Sequence, residues 1–250
     1  MSIVTKVSRR DFLKAGAGLT LAVSIPSVFA NNKLKAGGPG LAGSAVEAGN
    51  FAPNAFVTIG SDNTVTVISK HLEMGQGVYT GLATLVAEEL DADWSTVKVE
   101  GAAADATRYS NLFFGVQATG GSTAIANSFE QMRSAGAAAR AMLVNAAAAQ
   151  WKVAASEITV ANSVVSHAKS NRKATFGELA EAASKQPVPE KVVLKDAKDF
   201  KLIGKTAPRK DSVAKTNGTA VFTQDMKLPG MLVAVVAHPP RFGGTVKKVD

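Results

Sequence analysis

Apolar and polar residues alternate over Phe56-Val57-Thr58-Ile59 and again over Val65-Thr66-Val67-Ile68, with the turn-forming Ser61-Asp62-Asn63 between them. Two period-two runs around a polar turn predict a β-hairpin, with order beginning near Ala55. The period then changes. Val78, Leu82, Leu85, Val86 and Leu90 recur three or four apart, which predicts a helix with its apolar stripe inward and Glu88 and Asp91 turned outward. Val97-Lys98-Val99 reads as a short strand. A longer helix is expected over residues 120–148 from Ile125, Phe129, Met132, Gly136, Ala139, Leu143 and Ala146, with Arg133 and Arg140 on another face. Its many alanines favour helix and allow close packing. Ile158-Thr159-Val160 and Val164-Val165-Ser166 around Ala161-Asn162-Ser163 predict a second hairpin. Thr175 with Glu178 is a capping box opening a helix through Ala183. Pro187 and Pro189 mark a boundary. Beyond it, Phe200-Lys201-Leu202-Ile203, Ala220-Val221-Phe222 and an apolar strand from Met231 to Ala237 suggest the opening of a more β-rich unit. The sum is an α+β fold.

The first thirty residues break this pattern. Ser8-Arg9-Arg10-Asp11-Phe12-Leu13-Lys14 precedes a uniform apolar run from Ala15 to Ile25, then Pro26 and the small-residue site Val28-Phe29-Ala30. This is the layout of a twin-arginine (Tat) signal peptide. The run falls short of the roughly 20 residues that span a bilayer. Residues 1–30 are therefore expected to direct export through the Tat translocase to the periplasm, and residues 31–51, rich in Gly, Ala, Asn and Lys without a period, to form a linker. Export of an already folded protein suits one whose cofactor is inserted before it crosses the membrane.

Composition narrows the choices. With 46% of its 250 residues hydrophobic, the chain can bury a real core. The net charge of +8 loses weight once Lys6, Arg9, Arg10 and Lys14 are set against Asp11, because the export segment contributes +3 of it. The remaining basic residues lie singly or in pairs, without the aromatic interleaving of a strand-binding surface, so no nucleic-acid partner is expected. Cysteine is absent, which excludes disulfides, thiolate metal sites and any iron–sulfur cluster held by this chain.

Candidate chemistry lies at two junctions. Glu73-Met74-Gly75-Gln76-Gly77-Val78-Tyr79-Thr80 joins a strand to a helix, and its two glycines around one glutamine let backbone approach a ligand while the amide both donates and accepts. The helix N-terminus behind it adds amide donors. Gln117-Ala118-Thr119-Gly120-Gly121-Ser122-Thr123 also runs toward a helix start, and its small residues and hydroxyls could cap that helix or cradle an oxygen-rich group. Taken singly, the first is only moderately specific, since a plain strand-to-helix turn would look similar, and for the second helix capping is at least as good an account. Neither matches the dinucleotide fingerprint or the P-loop. His71, His167 and His238 stand far apart with no metal-ligand spacing and read as surface or packing residues, so no metal ligand is expected among side chains.

Together, Glu-Met-Gly-Gln-Gly-x-x-Thr, Ala87-Glu88-Glu89-Leu90 and Thr-Gly-Gly-Ser-Thr resemble the molybdopterin-binding subunit of the xanthine dehydrogenase/aldehyde oxidase family, in the branch typified by isoquinoline 1-oxidoreductase beta subunits. The resemblance continues through Thr175-Phe176-Gly177-Glu178-Leu179-Ala180, Phe200–Lys205 and Leu228-Pro229-Gly230-Met231-Leu232. It implies a molybdopterin-binding domain over residues 52–190, with hairpins and two main helices, followed over 191–250 by the start of an α/β hammerhead unit. It also implies a molybdenum cofactor in the cytosine dinucleotide form, contacted by Gly75, Gln76, Gly77, Gly121, Ser122 and Thr123. A [2Fe-2S] subunit would carry electrons away. The family's catalytic glutamate lies in a C-terminal part beyond this chain's match, so no catalytic residue is assigned here, and Glu73, Glu88 and Glu89 are not given that role. The expected function is the N-terminal part of a periplasmic molybdenum hydroxylase oxidising an N-heterocycle or aldehyde with water as oxygen source. The alternative is a truncated or split-gene product, inactive alone, contributing scaffold and cofactor contacts beside a separate chain with the missing part.

Overall fold

Phe51–Asn54 (β1), Val57–Ile59 (β2), Val65–Ser69 (β3) and Val97–Gly101 (β4) form a four-stranded sheet in the order β1-β2-β3-β4. The computed structural model describes residues 51–249, within the compact unit Val46–Asp250. The segments expected to be a signal peptide (residues 1–30) and a linker (residues 31–51) lie, apart from Phe51, outside the described residues. β2 and β3 are the expected hairpin, paired Val57↔Val67 and Ile59↔Val65. Asn63, at φ 68, turns the chain between them. Val57, Ile59, Val65 and Val67 point into the core while Thr58 and Thr66 alternate away.

β3 and β4 are parallel, so the chain needs a crossover, supplied by helix α1, Val78–Leu90. Leu82, Leu85, Val86 and Leu90 are buried on the expected stripe, each contributing about 1.5–3 kcal/mol by leaving water. A single turn, Ala106–Tyr109 (α2), follows β4, and the long helix α3, Phe129–Trp151, packs across α1. The close approach depends on Gly136, where a Cβ would lie 2.5 Å from the Val86 carbonyl oxygen. Helix α3 starts later than its periodicity suggests, because residues 120–128 form turns. There the Thr123 carbonyl accepts from both the backbone amide and the side-chain amide of Asn127, at 2.9 and 2.6 Å, within a run of turns that does not become continuous helix until Phe129.

Ile158–Ala161 (β5), Val164–His167 (β6) and Arg172–Thr175 (β7) form an antiparallel three-stranded sheet. The β5–β6 turn places Asn162 and Ser163 at φ 50 and 59, the left-handed pair of a two-residue hairpin. Ser163 ties this sheet to the rest: its hydroxyl accepts from Asp93, its amide donates to the Asp91 carbonyl, and its carbonyl accepts from Phe176. Phe176–Ser184 (α4) opens with the expected capping box, Thr175 and Glu178.

The segment after Pro189 departs from expectation. Residues 191–249 contain no strand, only 3-10 turns and the short helix α5, Ser212–Asn217. Met231–Ala237 has the composition of a strand, but a strand exists only by pairing, and no described segment pairs with it. Residues 191–217 instead return to α1 as a strap, which reverses the expectation that Glu88 and Asp91 face solvent. Glu88 and Glu89 are 2% exposed. One Glu88 oxygen accepts from the consecutive amides of Lys201, Leu202 and Ile203 at 2.8, 2.6 and 3.1 Å. Lys195 Nζ lies between Glu88 and Asp91, at 3.3 and 2.8 Å. Arg133 is also buried, paired with Glu89 at 2.6 Å and stacked between the rings of Phe129 and Phe200. Arg140 sits 3.2 Å from Asp91, close enough for an ion pair but not aligned for a hydrogen bond. Burial alone would push the Glu88 carboxyl up, but the three strap amides and Lys195 outweigh it and hold it below the ordinary range.

Candidate functional site

The first junction is a loop folded around its own glutamate. Glu73, whose side chain is 4% exposed, accepts through one oxygen from the amides of Gly75 and Gly77 at 2.7 and 3.0 Å, and through the other from Tyr79 in the first turn of α1 at 3.1 Å. Gly75 and Gly77, at φ 102 and 90, turn their amides inward as a side chain with a Cβ rarely could. The amides expected to await an external ligand are therefore already taken. Burial pushes the Glu73 carboxyl up, yet the Gly77, Tyr79 and Gly75 donors outweigh it and leave it below the usual carboxylate range, poorly suited to act as a base.

Gln76 faces the other way. Its carbonyl oxygen accepts from Met74 at 2.6 Å and its amide donates to the Leu72 carbonyl at 2.8 Å, so the exposed side chain is oriented by the loop while one lone pair and one N–H remain for a ligand. Nothing lies within 4 Å of where a Gly75 Cβ would be, and the same holds at Gly120, which leaves backbone open to close approach.

The second junction is brought beside the first. Leu72 donates its amide to Thr119 Oγ1 at 2.9 Å. His71, fully buried, lies 3.2 Å from the Ala118 carbonyl through Nδ1 and 3.2 Å from Asn127 Nδ2 through Nε2. The carbonyl can only accept and the Asn127 amide can only donate, which assigns the proton to Nδ1. Burial, and then the neighbouring Lys70, hold His71 below its ordinary value. The adjoining turn places Gly121 and Ser122 at φ 60 and 55, both exposed, with the Ser122 hydroxyl free of protein partners among the described residues. Thr123 is committed to the fold: its hydroxyl donates to the Gly120 carbonyl and accepts from Asn111, both at 2.8 Å. The glycines are thus at turns, not at the start of α3.

Sequence reasoning missed Asn111 and Asn127, buried amides that brace the two loops, and read Thr119 only as a hydroxyl of the second stretch, not as the tie to Leu72. A polar residue in a loop carries no periodic signal, so nothing distinguished them beforehand. It also missed Lys70, 3% exposed, whose ammonium donates to Gln131 Oε1 at 2.6 Å and the Ser110 carbonyl at 3.2 Å. Beside the first loop, a groove of about 400 Å³ runs between α1 and the strap, lined by Gly77, Thr80, Thr84, Ile125, Lys205 and Arg209 among others. His167 is buried against Glu157, and His238 is exposed. No group of three His, Asp or Glu among the described residues could hold a metal ion.

Residues 7–237 match the family model described as a molybdopterin cofactor-binding domain. The chain is 34% identical, over 98% of its length, to isoquinoline 1-oxidoreductase subunit beta of Brevundimonas diminuta, covering 35% of that protein. It is also 34% identical, over 98% of its length, to membrane-bound aldehyde dehydrogenase [pyrroloquinoline-quinone] of Gluconacetobacter polyoxogenes, covering 31% of it. The chain thus spans about a third of the length of these relatives. Quinoline 2-oxidoreductase from Pseudomonas putida 86, a crystal structure, aligns with a TM-score of 0.35 and 20% identity over 58% of this chain and 19% of its own.

Proposed function

The chain belongs to the family of molybdopterin cofactor-binding domains, and from that premise we propose that it is the cofactor-contacting portion of a molybdenum hydroxylase acting on an N-heterocycle or aldehyde. The observation that carries this reading is the joining of two glycine-bearing loops, through Leu72, His71, Thr119 and Asn127, so that both face a ligand together. The residues fit an oxygen-rich pterin. Gln76 offers a preset donor and acceptor, Gly121 and Ser122 offer exposed backbone and a hydroxyl, and open space at Gly75 and Gly120 admits a flat group against the chain. Gly77 and Thr123 shape the loops that present these groups. When bound, the cofactor supplies two-electron redox chemistry, with water as the source of the inserted oxygen.

The chain's own residues orient and surround. Gln76 contributes one or two hydrogen bonds, each about 0.5–1.5 kcal/mol net, so a tightly held cofactor needs further walls. Glu73, the carboxylate within the loop, is engaged by three amides and is not the base. A cysteine-free chain passes no electrons through a cluster of its own, which supports a [2Fe-2S] partner subunit. Tat export and periplasmic location complete the reading, supported by the twin arginines Arg9 and Arg10, while the cytosine dinucleotide form rests on the family resemblance alone.

The test is to produce the chain with a polypeptide supplying the rest of the family sequence and an iron–sulfur subunit. Molybdenum per chain, dye reduction by isoquinoline or an aldehyde, and periplasmic recovery are then measured. Both molybdenum and activity should require the assembly and fall with Gln76→Ala. Stoichiometric molybdenum and activity in the 250-residue chain alone, or an assembly indifferent to Gln76→Ala and Ser122→Ala, would reject the site.

A further inference from the structure

We propose that Glu73 and Arg209 are positioning residues: the strap, through Arg209, locks the loop that aims the Gln76 amide. The inference rests on the reading of that loop as a cofactor contact. Arg209 comes from 134 residues further along the chain, yet one guanidinium nitrogen donates to the Gly75 carbonyl at 3.2 Å and another to Glu73 at 3.3 Å. A Gly77 Cβ would lie 3.7 Å from the same guanidinium, so the group lies along the Gly75-Gln76-Gly77 backbone. Asp211 grips Arg209 from behind by two hydrogen bonds, of 2.9 and 2.8 Å, and Lys215 bridges Asp211 at 2.6 Å and Glu73 at 3.7 Å.

The strap is itself anchored on both sides of Arg209. Trp94 donates to the Pro208 carbonyl at 3.2 Å, Lys210 donates its amide to Thr80 at 3.0 Å, and the Lys210 ammonium sits 4.2 Å from the centre of the Trp94 ring. Arg209 is therefore presented by fixed backbone and not as a swinging surface arginine. The loop is closed from within by the Glu73 carboxylate on three amides and from without by Arg209 on a carbonyl. Gln76 spans the remaining gap through Met74 and Leu72. Removing the guanidinium frees the Gly75 carbonyl, and with it the turn that sets the Gln76 side chain. Lysine at 209 restores one point charge but not the forked grip on carbonyl and carboxylate together.

The experiment uses the full chain with Arg209→Ala, Arg209→Lys and Asp211→Asn. Amide exchange of the 72–80 segment should accelerate on the order of tenfold in Arg209→Ala, partly recover in Arg209→Lys and move in the same direction in Asp211→Asn, with α3 unchanged. The Gln76 side-chain NH2 resonances should shift toward free-glutamine values in Arg209→Ala and back in Arg209→Lys, which a general loss of stability would not do. Unchanged exchange and unchanged Gln76 resonances in Arg209→Ala would overturn the proposal. Neither readout needs cofactor, so a latch that works in a chain whose assembly ignores Gln76→Ala would separate failure of the cofactor reading from failure of this one.

Discussion

Lys70 has no carboxylate partner among the described residues, and burial pulls its ammonium down to about 8. In the unfolded chain the ordinary lysine value is 10.5, so between the two the unfolded chain binds more protons and stability rises with pH. From pH 7 to 9 Lys70 should add about 1 kcal/mol, an order-of-magnitude figure from that shift. Denaturant titrations at both pH values check it: the rise should shrink in Lys70→Met, and an identical slope in the variant would show that Lys70 is not the group responsible. Glu88 shows the same limit of sequence reading from the other sign of charge. Glu88, Glu89 and Arg133 were legible as helical positions but not as buried ones, because periodicity assigns charges to solvent unless something later in the chain returns to cover them.

At the scale of elements, the hairpins, α1 and α4 follow their sequence signals, and the contact between α1 and α3 turns on one missing side chain. Gly136→Ala would gain about 1 kcal/mol of helix propensity. Against that, the new Cβ would meet the Val86 carbonyl oxygen at 2.5 Å and the Glu89 Cβ at 3.2 Å, and backbone cannot yield as a side chain can. Overpacking of this kind costs about 1–3 kcal/mol, so the substitution should lower the thermal midpoint despite its better helix propensity. A raised midpoint would mean that the two helices separate at little cost. Strand β7 escaped notice because Arg172-Lys173-Ala174-Thr175 is a mostly polar edge with no alternation, recognisable only once β6 pairs with it.

Across the whole molecule, the strap makes residues 191–217 part of the fold that carries the candidate site. Glu88→Ala removes the acceptor of three consecutive amides and one partner of Lys195. Breaking a buried pair from one side costs about 3–5 kcal/mol, so the variant should be markedly less stable and cleaved by protease within residues 191–210 before the rest. Cleavage that begins elsewhere, with that segment still protected, would show that the strap is held by other contacts.

By itself the sequence determined the local elements with a period or a cap: the two hairpins, the stripe of α1, the capping box of α4, and the two glycine-bearing loops that carry the family resemblance. These depend on neighbours within a few positions, where backbone geometry and side-chain pattern are coupled directly. Tertiary structure alone decided what the charges and loop amides face. Glu73 closes upon its own loop, His71 and Thr119 weld that loop to one more than forty residues away, and Glu88 is buried by a segment more than a hundred residues later. Such partners are chosen by where the packed core leaves backbone donors unsatisfied, and that is a property of the assembled chain, not of any stretch within it.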